Sequence, residues 1–182
     1  MIEHERYFLE NNKQIDVLDG VFPLSFRITA YDFCRNSLFK IGWSDSTVPE
    51  RKANDFFLHS TYSSDDLNNL GILPFLENSA VKELTEGLTL EKSILNLSVS
   101  SDVNYVHTHP EKKVVLYYAN LDWREGWHGE TQFYSENMKN IQFSTPYTPG
   151  RVVVFDANIP HTIRPQSIIA TQHRFTLALC YN

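Results

Sequence analysis

From about residue 90 onward the chain is cut into short apolar runs: 93–99 (SILNLSV), 114–119 (VVLYYA), 131–134 (TQFY), 140–143 (NIQF), 151–155 (RVVVF) and 173–181 (HRFTLALCY). Polar or Gly/Pro-containing turns separate them. Runs of this length, rich in Val, Leu, Tyr and Phe, read as strands that bury at least one face, and their rhythm predicts an all-β sandwich or barrel core. The upstream part has a different texture. Residues 25–38 place Phe26, Ile28, Tyr31, Phe33 and Leu38 at a spacing that fits a helix packed on something. A second helix is expected over 75–87, closed by Gly87 as its C-cap. Residues 36–72 read as loop-rich, with the Ser60–Asp66 cluster as the clearest turn signal. The expected architecture is mainly β: a double-stranded β-helix, or jelly roll, over about 90–182, buttressed on one sheet by N-terminal α-helices from about 20–90. With 182 residues, the chain suits a single domain with one sizeable core.

Charge and cysteine usage exclude several function classes. The formal net charge is −6, and no basic stripe exists beyond Glu111-Lys112-Lys113, so nucleic acid is not an expected partner. The longest apolar runs are far too short to span a bilayer, so no membrane association is expected. The polar, acidic start Met1-Ile2-Glu3-His4-Glu5-Arg6 lacks the basic and apolar regions of a secretory signal, and the expected localisation is cytoplasmic. Cys34 and Cys180 form no Cys-x-x-Cys pair, which removes zinc-ribbon and thioredoxin-type sites; both read as buried thiols. Neither a Gly-x-Ser-x-Gly elbow nor a phosphate-cradling glycine loop is present.

The histidines carry the chemistry. His4 and His59 read as ordinary solitary residues. His107-Thr108-His109 differs, because residues i and i+2 of an extended segment project to the same side and bring two imidazoles towards one point. His161 follows the Val-rich strand that begins after Pro149-Gly150-Arg151. A jelly roll can bring that late segment beside the early one, which makes His161 the candidate third ligand of a site with open positions. On the last strand, alternation puts Arg174, Thr176, Ala178 and Cys180 on one face, and the bulky Phe175, Leu177, Leu179 and Tyr181 on the other. A cation beside a hydroxyl and two small residues suits the lining of a cavity with an anionic guest, since guanidinium grips a carboxylate through two parallel charge-assisted hydrogen bonds.

Taken together, His107-Thr108-His109, Val114-Val115-Leu116-Tyr117-Tyr118-Ala119-Asn120-Leu121-Asp122-Trp123, Gly129-Glu130-Thr131, Pro149-Gly150-Arg151, His161 and Arg174-Phe175-Thr176 resemble, in order and spacing, the iron(II)- and 2-oxoglutarate-dependent oxygenases, especially the prolyl-hydroxylase-like branch. The resemblance runs from about Asn104 to Tyr181. It implies Fe(II) and 2-oxoglutarate as cofactors and hydroxylation of a C–H bond in a small-molecule or peptide substrate. It also implies His161 as the distal iron ligand. Arg174, with Thr176 beside it and Tyr118 on the neighbouring strand, becomes the binding site for the distal carboxylate of 2-oxoglutarate. Trp123, Trp127 and His128 read as packing or pocket-wall residues, and the pocket cover is expected from parts of 40–72, including Trp43, and from 122–130.

One departure from the family pattern leaves two registers open. The pattern has a carboxylate two residues after the first histidine. With His107 first, position 109 is a histidine; with His109 first, Glu111 is the carboxylate and Pro110 lies between. The spacing to Tyr117-Tyr118 favours His107, His109 and His161, a set that leaves the metal one negative charge short. Two other readings compete: a cupin-like metal protein, which needs no arginine on the last strand, and a non-catalytic jelly-roll binding module, which holds no stoichiometric metal.

Overall fold

The alternation of the late strands decides how the layers form. In the computed structural model, which describes residues 1–43, 57–77 and 79–182, the apolar runs become strands β5 (Leu90–Ser98), β6 (Lys113–Tyr118), β7 (Thr131–Tyr134), β8 (Ile141–Thr145), β9 (Val152–Asp156) and β11 (Arg174–Tyr181), and a short strand outside those runs, β10 (His161–Ile163), lies between the last two. The first half adds strands β1 (Glu3–Phe8), β2 (Gln14–Asp19), β3 (Lys40–Trp43) and β4 (Phe57–Tyr62). An eight-stranded sheet in the order β1-β2-β9-β6-β11-β5-β4-β3 faces a three-stranded sheet in the order β10-β7-β8. Every strand pairing is antiparallel. The fold is thus mainly β, of jelly-roll type, with few helices.

Strand alternation sorts the core into two layers. Val114, Leu116 and Tyr118 of β6, Val153 and Phe155 of β9, and Ala178 and Cys180 of β11 point between the sheets, where they meet Phe133. Val115 and Tyr117, Val152 and Val154, and Phe175, Leu177, Leu179 and Tyr181 point the other way. That outer face is covered by helix α1 (Leu24–Asn36), which contributes Phe26, Ala30 and Cys34, and by the short helices α2 (Ser64–Asn69), α3 (Ile72–Glu77) and α4 (Val81–Leu84). The expectation that helices buttress one sheet is met, and the expected first helix, 25–38, matches α1.

Three local expectations change. The helix expected over 75–87 is two short helices, α3 and α4. Ser79 lies between them, its hydroxyl donating to the Leu76 carbonyl at 2.8 Å and accepting from Val81 N at 3.2 Å, so the side chain competes with the backbone ladder there. Gly87 lies beyond α4 with a left-handed φ of 74° and closes no helix. Within the Ser60–Asp66 cluster, Ser60–Tyr62 finish β4, and only Ser63 starts a new element: with Asp66 it makes a reciprocal capping box for α2. The β1–β2 hairpin extends the main sheet and was not signalled. Its central residue, Asp16, is fully buried and accepts from His4 Nε2 and Arg6 Nε, each at 2.7 Å, and from Gln14. Cys34 and Cys180 are both buried, and they form no disulfide. Residues 44–56, and the side chain of Trp43, expected as pocket cover, lie outside the described residues. Among the described residues, no helix is long and apolar enough to cross a membrane.

Candidate active site

Backbone pairing brings the three histidines together. His107 forms an isolated antiparallel bridge with His161 at the start of β10. The pair exchanges both hydrogen bonds, His107 N to His161 O at 3.0 Å and His161 N to His107 O at 2.9 Å. Directly paired residues project to the same side of a sheet, so the two imidazoles must neighbour each other. His109 N donates to Ala157 O at 2.9 Å, which continues the extended course of the segment and returns its side chain to the same side. Ring centroids lie 4.4 Å apart for His107 and His161, 5.0 Å for His107 and His109, and 5.1 Å for His109 and His161. One ring nitrogen from each falls within 4.8 Å of the other two.

Two of the rings are oriented by the backbone. His107 Nδ1 lies 2.9 Å from Tyr105 O, and His161 Nδ1 lies 2.8 Å from Ile159 O. A carbonyl only accepts, so each Nδ1 carries the proton and each Nε2 keeps its lone pair for a shared centre, the tautomer a metal ligand requires. His161 is 6% exposed and packs against Phe155 and Phe133, at ring distances of 4.7 and 6.1 Å. Burial, reinforced by the neighbouring His107 and His109, holds its pKa well below the ordinary histidine value, so it is neutral at physiological pH. Glu111, the carboxylate of the other register, falls in a different group: a Glu111 oxygen, a His109 ring nitrogen and Cys180 Sγ lie within 4.8 Å of one another.

Arg174 is fully buried inside the sandwich. Its Nε donates to Gly129 O at 3.0 Å, its Nη1 to Thr176 Oγ1 at 3.4 Å, and its backbone N to Gln166 Oε1 at 3.0 Å. The guanidinium lies over two stacked phenol rings, 5.4 Å from the Tyr118 centroid and 4.6 Å from that of Tyr147, with the rings 4.6 Å apart. Burial raises the pKa of both phenols, which stay neutral. Nη2 is buried with no hydrogen-bond partner. Tyr118 Oη shares a 2.6 Å hydrogen bond with Thr131 Oγ1, and Thr131 lies two residues before Phe133 on the same inward face of β7. Arg174, Tyr118 and His161 therefore border one inter-sheet layer.

Fit to an anionic guest rests on that orphaned donor. A buried guanidinium N–H without an acceptor is costly, and among the described residues no carboxylate lies within ion-pair distance of Arg174. Gly129 leaves space for the guanidinium: a Cβ there would stand 3.1 Å from Arg174 Cδ, and its φ of +88° favours glycine. Three imidazoles suit a borderline divalent ion such as ferrous iron. The residues present therefore fit both a metal and a carboxylate-bearing cosubstrate.

Sequence reasoning missed Tyr147 and Gln166, and quoted Asn120 within the strand motif without giving it a role. Tyr147 stacks on Tyr118, its hydroxyl lying 2.7 Å from Asn120 Oδ1 and 2.5 Å from Phe175 O as a donor to these acceptors. Gln166 donates to Gln172 O while accepting from Arg174 N. No spacing signal marks Tyr147 and Gln166, because their roles exist only across strands. Trp127 is buried and Trp123 partly so; Trp123 Nε1 donates to His128 O at 2.8 Å, and His128 is bridged to Gln166. These three wall the Arg174 end of the sandwich.

In fold the chain is similar to solved prolyl hydroxylases and to a solved protein of the 2OG-Fe(II) oxygenase family. A prolyl-4-hydroxylase from Pseudomonas putida matches with a TM-score of 0.61 at 14% identity, covering 100% of this chain and 92% of that one. HygX from Streptomyces hygroscopicus, solved with nickel and 2-oxoglutarate bound, matches with a TM-score of 0.65 at 12% identity, covering 92% and 82%. A prolyl hydroxylase from Trichoplax adhaerens, solved with a peptide fragment of hypoxia inducible factor, matches with a TM-score of 0.60 at 13% identity, covering 92% and 82%. No family model and no curated protein matches the sequence.

Proposed function

We propose that this protein is an iron(II)- and 2-oxoglutarate-dependent dioxygenase that hydroxylates a C–H bond of a small-molecule or peptidyl substrate. The observation that carries this reading is a buried arginine with an unsatisfied Nη2 in the same inter-sheet layer as three converging imidazoles. A cupin-like metal site needs the imidazoles and gives no reason for Arg174; a binding module needs neither.

His107, His109 and His161 would hold ferrous iron, and Arg174, Tyr118 and Thr176 the distal carboxylate of 2-oxoglutarate. Bound together with dioxygen, these cofactors supply oxidative decarboxylation: 2-oxoglutarate and O2 give succinate and CO2, and one oxygen atom enters the substrate C–H bond. The protein contributes position and dryness. Nη2 offers a charge-assisted hydrogen bond to one carboxylate oxygen. The Tyr118 hydroxyl can accept from Thr131 and donate its proton to the same carboxylate, since it has one donor and two lone pairs. Phe133 and Phe155 back His161 and exclude water from the ligand side.

The direct test is succinate formation from 2-oxoglutarate with ferrous iron under air, across panels of small molecules and peptides. Iron-dependent succinate that disappears in His161→Ala is the expected result. A metal-free protein that forms no succinate under any condition would overturn the proposal.

A further inference from the structure

The three-histidine set lacks a negative charge, and a carboxylate stands beside it. Glu111 follows His109 by two residues and lies within 4.8 Å of one of its ring nitrogens, yet outside the group formed with His107 and His161. Glu111 therefore flanks the imidazole cluster rather than completing it. Its Oε2 is buried and accepts no hydrogen bond. A buried carboxylate oxygen in that condition calls for a donor.

Imidazole chemistry supplies one. A neutral ring has one lone pair and one N–H. His107 and His161 give their Nδ1 protons to carbonyls and turn Nε2 to the shared centre. Once His109 turns its own lone pair to the same cation, its other nitrogen carries the proton and can donate it. We propose, on the metal-binding reading above, that Glu111 is a positioning residue. Its carboxylate accepts the His109 N–H, fixes that ring towards the cation, and returns to the site the charge that a His-x-His pair leaves out. On this account the two sequence registers are not alternatives: the histidine pair ligates, and the carboxylate acts through it. The rival arrangement, a cation held directly by His109, Glu111 and Cys180, contains a sulfur donor and is spectroscopically distinct.

Cobalt(II) titration of the purified chain, followed by visible and near-ultraviolet absorption, tests this. One cobalt per chain is expected, with no sulfur-to-cobalt charge-transfer band. Glu111→Ala weakens binding by about 10–100-fold. Glu111→Gln, which keeps the shape and an oxygen acceptor but not the charge, falls between Glu111→Ala and the unaltered protein, and His107→Ala abolishes binding. Binding by Glu111→Ala within about threefold of the unaltered protein overturns the role of Glu111 and leaves the three-histidine centre standing. A sulfur charge-transfer band, or undiminished binding by His107→Ala with none by Glu111→Ala, makes Glu111 a ligand and also overturns it. No cobalt binding at all overturns both this inference and the oxygenase reading.

Discussion

The Arg174 guanidinium carbon lies 4.6 Å from the centroid of the Tyr147 ring. A cation so placed over a neutral phenol is stabilised without being neutralised, so its charge remains available to a guest. Arg174→Ala should weaken 2-oxoglutarate binding to the iron-loaded protein by about 10–100-fold, the scale of one lost charge-assisted hydrogen bond. Arg174→Lys should recover only part of this, because a flexible ammonium cannot reproduce the fixed direction of Nη2 while also bonding Gly129 O and Thr176. Calorimetric titration checks both. Equal affinity in all three proteins would remove Arg174 from the site.

Tyr147→Phe separates packing from binding. The ring still supports Arg174, but the Asn120 and Phe175 oxygens lose a donor. A stability loss of about 1–3 kcal/mol is expected, with 2-oxoglutarate affinity changed by less than about threefold. Denaturant unfolding and the same calorimetric titration measure the two effects.

Gly129→Ala should act on the same arginine from the opposite side. The new methyl would lie 3.1 Å from Arg174 Cδ and 3.3 Å from Nε, at a φ of +88°. Backbone strain alone costs about 1–2 kcal/mol, and displacement of the guanidinium should lower 2-oxoglutarate affinity while leaving cobalt affinity unaltered. Weakened cobalt binding would show that the two halves of the site are not separable in this way.

Asp16 predicts an acid limit to stability that is independent of the site. Burial pushes its pKa up, but hydrogen bonds from Gln14, Arg6 and His4 outweigh burial, so the folded carboxyl titrates below its ordinary value. A depressed folded pKa contributes stability above the unfolded value of about 3.9, and the contribution disappears as pH falls through the folded value. Asp16→Asn should cost about 1–3 kcal/mol at neutral pH, and its melting temperature should converge with that of the unaltered protein in acid. A gap that persists at low pH would assign the loss to packing.

Legibility in the sequence followed the range of the interaction that decides each element. Strands β5 to β9 and β11 were readable because alternation is local: Phe175, Leu177, Leu179 and Tyr181 can face only one way if Arg174, Thr176, Ala178 and Cys180 face the other; the three-residue β10 is too short to show alternation and was not among the expected runs. The β1–β2 hairpin was not readable, because Asp16 occupies a position that is buried only once His4 and Arg6 from the partner strand reach it. His107 and His109 announced their convergence through i, i+2 spacing. Tyr147 and Gln166 carry no such periodic mark; each becomes a site residue through one cross-strand contact. The α3–α4 break turned on the hydroxyl of Ser79 competing with the helix ladder, a choice that apolar spacing does not encode.

The central claim is that one ferrous ion and one 2-oxoglutarate share the space between the three imidazoles and Arg174. Anaerobic titration of the iron-loaded protein with 2-oxoglutarate, watched for the visible metal-to-ligand charge-transfer absorption of a chelated 2-oxo acid, tests it most directly. The account predicts a band that saturates at one equivalent of each, is absent in His161→Ala, and requires far more 2-oxoglutarate in Arg174→Ala. A protein that takes up no iron, or gives the same band without His161, would contradict it.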